Sequence, residues 1–176
     1  IATTVVFAAQ DGISRHLGEA YPVTMVVMVR FWFFALFAMA MAARSDGGLR
    51  AAARSAFPVV QVVRGVILVA EIAVMLVAFV KLGLIEAHAV FTCYPLLVAA
   101  LSGPILGEKV GWRRWSAILV GFLGVLIILE PGFGVFSPWA LVPLVSAAMF
   151  AVYGLLTRYV ARKDSASVSF FYTGVV

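Results

Sequence analysis

Six apolar stretches follow one another down this chain of 176 residues, and basic residues collect in every second gap between them. The stretches cover residues 1–17, 22–43, 58–81, 84–106, 115–129 and 138–160, and a seventh opens near Val168. About 20 apolar residues cross a hydrocarbon core of ~30 Å, and inside lipid the backbone must satisfy its own hydrogen bonds, which a helix does. The pattern therefore predicts an all-α membrane protein, a multispanning helical bundle. Hydrophobic residues make up 64% of the chain and charged residues 12%, against about 25% charged in soluble domains. A soluble fold of this length could not cover so much apolar surface. The net charge of +5 does not indicate nucleic acid, because the charges sit in short gaps between stretches.

The gap after the second stretch holds Arg44, Arg50 and Arg54; that after the fourth holds Lys109, Arg113 and Arg114; that after the sixth holds Arg158, Arg162 and Lys163. The opposite gaps hold only Arg15 and Lys81. Basic loops stay on the cytoplasmic side, so these three gaps are expected to be cytoplasmic, with a cytoplasmic N-terminus and several passes through the inner membrane. The chain opens at Ile1 inside an apolar run and stops at Val176 inside another. It is expected to be part of a longer membrane protein. A weak repeat agrees: Ser14-Arg15-His16-Leu17 corresponds in kind to Thr157-Arg158-Tyr159-Val160, with an odd number of helices between them. The second copy would then sit inverted in the bilayer, an arrangement common in secondary transporters.

Three charges fall inside the stretches: Asp11, Arg30 and Glu71. A charge at mid-membrane costs a few kcal/mol or more and normally faces a partner or a wet cavity. At a rise of 1.5 Å per residue, Asp11 lies ~10 Å, Arg30 ~12 Å and Glu71 ~15 Å from the outer ends of their helices, with Thr92 and Tyr94 at ~12–15 Å. The five are the candidate substrate-binding residues. Arg30 could grip an anionic substrate group through its planar fork, or form a fixed ion pair with Asp11. Glu71 could carry a proton. Arg64, about five residues inside the basic end of its helix, is expected to snorkel to the interface. Glu108 is expected to cap or pair with Lys109 or Arg113, and His88 to be a solvated rim residue. Pro95, Pro104 and Pro143 interrupt their helices. Ala117, Gly121 and Gly124 offer a small-residue face.

The segment TCYPLLVAALSGPILGEKVGWRRWSAILVGFLGVLIILEPG, residues 92–132, carries a specific likeness. A proline-bearing helix ends in Leu106-Gly107-Glu108. A basic turn with Trp112 and Trp115 follows, then a helix with Gly121 and Gly124 that ends in Glu130-Pro131-Gly132. With Val29-Arg30-Phe31 earlier, this resembles the first repeat of an EamA-type member of the drug/metabolite transporter superfamily, over about residues 5–165. The resemblance implies ten helices in two inverted five-helix halves around a central cavity. It divides the chain into a first repeat, 1–132, and the truncated start of a second, 137–176. It also implies a secondary transporter of a small metabolite working by alternating access. Its expected partners are the lipid bilayer and the remaining helices, with proton coupling and simple exchange left as the two alternatives. Substrates across the superfamily include amino acids, nucleotide-like metabolites, vitamins and sugars. The opening Asp11…His16-Leu17-Gly18 looks most similar to members proposed to carry riboflavin or S-adenosylmethionine.

Enzymatic chemistry finds little support. The two histidines, His16 and His88, lie on different stretches, no metal-ligand cluster or nucleophile elbow is visible, and no cofactor is expected. Gly132-Phe133-Gly134 reads as an outer turn rather than a phosphate cradle. A membrane-embedded transferase or protease is the alternative class.

Overall fold

The computed structural model describes residues 2–45, 48–107, 111–128 and 138–176. Every regular element among them is helical: α1 Ala2–Ala20, α2 Val23–Arg44, α3 Gly48–Ala52, α4 Pro58–Lys81, α5 Leu84–Phe91, α6 Tyr94–Leu106, α7 Trp112–Ile128, α8 Leu141–Val160 and α9 Ala166–Val175, with a 3-10 turn Pro138–Ala140 before α8. The chain is thus a multispanning helical membrane protein. Val23–Arg44, Pro58–Lys81, Leu84–Leu106 and Leu141–Val160 are long and apolar enough to cross a bilayer on length and composition alone. Helix α1 is less apolar because it carries Asp11, Arg15 and Glu19, and α7 has 17 residues, or ~26 Å of rise.

Local chemistry sets the boundaries. Pro58 opens α4 at the first helical turn, where its missing N–H costs nothing. Gly83, at φ +108°, turns the chain from α4 into α5, and Gly107, at φ +72°, ends α6 in the left-handed conformation, its N–H donating to the Gly103 carbonyl at 2.9 Å. The fourth stretch, expected as one helix with proline kinks, is broken into α5 and α6 at Thr92-Cys93. Pro95 cannot donate to the Phe91 carbonyl. The backbone tightens instead, with Cys93 N–H reaching Val90 at 3.1 Å and Leu96 N–H reaching Cys93 at 3.0 Å. The short helix α3, inside the first basic gap, was not anticipated. Glu108 and Lys109, and the turn from Glu130 to Gly134, lie outside the described residues.

Helix α4 is the hub, with α1, α2, α5, α8 and α9 all packed against it; α6 lies between α7 and α8, and α9 rests on α2. The apolar core joins Val27 of α2 to Met75, Leu76, Ala78 and Phe79 of α4 and Ala87 of α5. Two glycines permit close approaches. A Cβ on Gly174 would come 2.4 Å from that of Ala38, and one on Gly121 would come 2.7 Å from Leu96 Cδ2. Among the described residues nothing lies within 4 Å of a Cβ on Gly124, so of the two glycines on the expected small-residue face of α7, Gly121 makes the close approach. Large apolar side chains such as Trp32, Phe33, Val59, Ile85 and Val120 point outward, as a lipid-facing surface requires.

Candidate functional site

A cavity of about 1200 Å³ opens inside the bundle, walled by α1, α2, α4, α5, α8 and α9. Helical spacing supplies each wall. Phe7, Gln10, Asp11 and Ser14 come from one face of α1; Arg30, Phe31, Phe34 and Phe37 from one face of α2; Arg64, Leu68, Glu71, Met75 and Phe79 from one stripe of α4; and Phe150, Tyr153 and Thr157 from α8. These intervals of three, four and seven residues keep side chains on one side of a helix. The wall is largely aromatic, with Phe91 and Phe170 adding further rings.

The three charges inside the apolar stretches, Asp11, Arg30 and Glu71, all line this cavity. Glu71 is 5% exposed and its Oε1 accepts a hydrogen bond from Ser146 Oγ at 2.6 Å. Its carboxylate is attracted by Arg30 and repelled by Asp11. The Arg30–Asp11 ion pair, one of the two alternatives for Arg30, does not form. Asp11 Oδ2 instead lies 3.2 Å from His88 Nε2, across from α1 to α5. Arg30 is exposed to the cavity and makes no ion pair among the described residues. That alternative fails because matching depth along two helices does not ensure matching azimuth, and His88 reaches Asp11 from a third helix. His88, expected as a solvated rim residue, keeps a side chain 44% exposed but also makes specific contacts. Its ring stacks on Phe79, with centroids 5.0 Å apart and planes 14° from parallel, and it lines the cavity.

Thr92 and Tyr94 are placed outside the cavity wall. Thr92 is exposed, and its hydroxyl donates to the His88 carbonyl of its own helical turn at 2.8 Å. The Tyr94 ring packs behind the wall on Phe91 and Phe150, at 5.3 and 5.1 Å between centroids. Depth along a helix does not fix which way either side chain faces.

Arg64 also differs from expectation. Far from snorkelling, it is 2% exposed. One guanidinium nitrogen, Nη1, donates to Thr157 Oγ1 at 3.1 Å, and Nη2 donates to the Ser169 carbonyl at 2.6 Å and to Thr173 Oγ1 at 2.8 Å. The guanidinium also sits 5.3 Å over the Tyr153 ring. Next to it, Gln61 Nε2 donates to Asp164 Oδ2 at 2.8 Å and to Ser169 Oγ at 3.2 Å. Asp164 further accepts from the Ser55 hydroxyl, and from the Ala56 N–H at 2.7 Å. Burial works against the Asp164 charge, but the donors Ser55, Ala56 and Gln61, with Arg64 nearby, outweigh it and hold its carboxyl below the usual range. This cluster ties α4, α8 and α9 together at the basic end of the bundle. The spacing of Arg64 and Glu71, seven residues apart on one stripe, was the signal that both face the interior. The partners from α8 and α9 had no such signal.

Among the described residues no group of three or more His, Cys, Asp or Glu side chains could hold a metal. The cavity is lined by aromatic rings and by charges of both signs.

The EamA-like transporter family matches residues 1–130. An S-adenosylmethionine uptake transporter of Rickettsia prowazekii is 25% identical over all of this chain and 59% of its own length. A riboflavin transporter of Brucella anthropi is 26% identical over 96% of the chain and 60% of its own length. One of Vibrio cholerae is 38% identical over 49% of the chain and 29% of its own length. These relatives are named as transporters, not enzymes. The chain spans about three-fifths of the length of the first two. No solved structure matches it significantly. With its match covering residues 1–130 of 176, the chain belongs to the EamA-like transporter family.

Proposed function

We propose that this chain is the larger part of a secondary transporter that carries a small metabolite across the cytoplasmic membrane by alternating access through the central cavity. The single observation that carries the reading is that cavity: about 1200 Å³, aromatic-walled, with Asp11, Arg30 and Glu71 facing into it from three helices. Pockets of this size hold ligands through apolar walls and a few placed polar groups. The rings suit a planar heteroaromatic solute, and Arg30, without a fixed partner, can take an anionic or carbonyl group. The names of the relatives, riboflavin and S-adenosylmethionine transporters, favour that class.

In this reading residues 1–132 form a first five-helix repeat and 137–176 open an inverted second one. The basic gaps lie in the cytoplasm, as does the N-terminus. The Arg64–Asp164 cluster then closes the cytoplasmic side, and opening to that side requires α8 and α9 to part from α4. Thr92 and Tyr94 support the wall from behind rather than touching the solute. The test is uptake of labelled riboflavin and S-adenosylmethionine by the full-length protein in liposomes, with a panel of unlabelled metabolites as competitors. Saturable uptake of a planar aromatic solute, competed by its analogues, is the expected result. Uptake of neither solute and competition by no planar aromatic compound would overturn the substrate class.

A further inference from the structure

His88 sits in the cavity in an arrangement that neutral-pH charge states of its neighbours do not explain. Its Nδ1 lies 2.9 Å from the Leu84 carbonyl oxygen. A carbonyl only accepts, so Nδ1 carries a hydrogen and donates it. In a neutral imidazole the other nitrogen, Nε2, is then a bare lone pair. That lone pair faces Asp11 Oδ2 at 3.2 Å. An ionised carboxylate is also only an acceptor. Two acceptors in this position repel, so the contact is favourable only with one added proton between them, either on Nε2 or on the carboxyl. Turning the ring over would put carbons at both contacts, so the orientation is fixed by two hydrogen bonds and by the stacked Phe79 ring.

We infer that His88 and Asp11 together form a proton-binding site in the cavity wall, and that its occupancy is coupled to the solute. The second half of that statement rests on the transporter reading above. The side chains are 44% and 24% exposed, so water in the cavity can deliver and remove the proton. When it leaves to water, the pair becomes a lone pair against a carboxylate, the attraction between α1 and α5 turns repulsive, and the cavity loses one positive charge. The other charges around the pair are Glu71 on α4 and Arg30 on α2, both lining the cavity. Lys81 at the end of α4 is held 5.6 Å over the Trp139 ring, Arg15 on α1 is paired with Glu19, and Glu86 of α5 is exposed. Because binding free energies are reciprocal, an anionic group that binds better beside the protonated pair also raises the proton's affinity. A solute bearing such a group therefore binds more tightly when the pair holds its proton.

Two measurements on the full-length protein test this. In the first, the protein is labelled with nitrogen-15 histidine in detergent, and the His88 signal is identified by its loss in His88→Gln. The nitrogen-15 shift of His88 Nε2, which faces Asp11 at 3.2 Å, is expected to change in Asp11→Asn and to return toward the wild-type value in Asp11→Glu. An unchanged Nε2 shift in a folded Asp11→Asn protein overturns the site. In the second, uptake into liposomes is measured with riboflavin and S-adenosylmethionine as probes, with and without a pH gradient. The ratio of the two rates is expected to be several-fold in the wild type and near one in His88→Gln, whatever the basal rate. A ratio that survives His88→Gln overturns the coupling. If neither probe is transported at all, the substrate reading fails instead, and the Nε2 shift still decides whether the proton site exists.

Discussion

The basic end of the bundle and its middle both hold buried charge, and they hold it in opposite ways. At the basic end, Arg64 and Asp164 spend their hydrogen bonds on named protein partners: Thr157, Ser169 and Thr173 for one, Ser55, Ala56 and Gln61 for the other. Among the described residues, only Gln61 Oε1 and Arg64 Nε remain as buried side-chain atoms without a partner. In the middle, among the described residues, Arg30 has no ion-pair partner, Glu71 has one hydroxyl, and Asp11 has His88 at 3.2 Å. A charge bound to several protein donors or acceptors ties helices together, even where one atom, as at Arg64 Nε, is left over. A charge with few protein partners keeps donors or acceptors for a ligand.

The comparison can be broken most directly at Arg64. Arg64→Leu removes three donated hydrogen bonds and leaves hydroxyls and a carbonyl facing an apolar side chain. Hydrogen bonds to a charged group are worth about 1.5–3 kcal/mol each, so the variant should lose roughly 3 kcal/mol or more, read as a large fall in melting temperature in detergent. Arg30→Leu should do the reverse. With no partner to abandon, it should change stability by less than about 0.5 kcal/mol and cut solute uptake tenfold or more. Glu71→Gln sharpens the same contrast, since the amide oxygen still accepts from Ser146. It should fold within about 1 kcal/mol of wild type while uptake falls about tenfold, a loss of ~1.4 kcal/mol in the rate-limiting barrier. If Arg30→Leu destabilises as much as Arg64→Leu, the two regions do not differ in kind.

A smaller effect is expected at Asp164. Its carboxyl is held below the ordinary range in the folded protein, so its stabilisation is present above the unfolded-state range and is lost as pH falls through the lowered folded value. Melting temperature measured from neutral to acid pH should show that decline, and Asp164→Asn should flatten it. The smallest changes belong to Thr92→Ala and Tyr94→Phe. Both should leave stability within about 0.5 kcal/mol and uptake near wild type. A tenfold loss in either would show that the wall extends to α6.

Much of this architecture was legible in the chain. Apolar length and the alternation of basic gaps marked the helices, and the charges inside them marked a cavity. The partners were not legible. That Asp11 meets His88 instead of Arg30 depends on how α1, α2 and α5 are rotated about their axes, which a hydropathy pattern does not encode. Arg64 misled because a basic residue one turn inside a helix usually reaches for the interface. Here α8 and α9 cover that route with the Thr157 and Thr173 hydroxyls, from more than 90 residues away in sequence. Thr92 and Tyr94 misled because equal depth along a helix does not fix which way a side chain faces.

The hub position of α4 has a consequence for how the protein is made. Glu71 waits 75 residues for Ser146, and Arg64 waits 93 for Thr157. At a synthesis rate of about 5–20 residues per second, Glu71 stands without its hydroxyl for roughly 4–15 s. During that interval the nascent helix holds two ionisable side chains whose lasting partners have not left the ribosome. The insertion machinery must shelter α4, or let it lie near the interface, until α8 arrives to seat it. Chains stalled before residue 146 should therefore be the ones that membrane quality control removes.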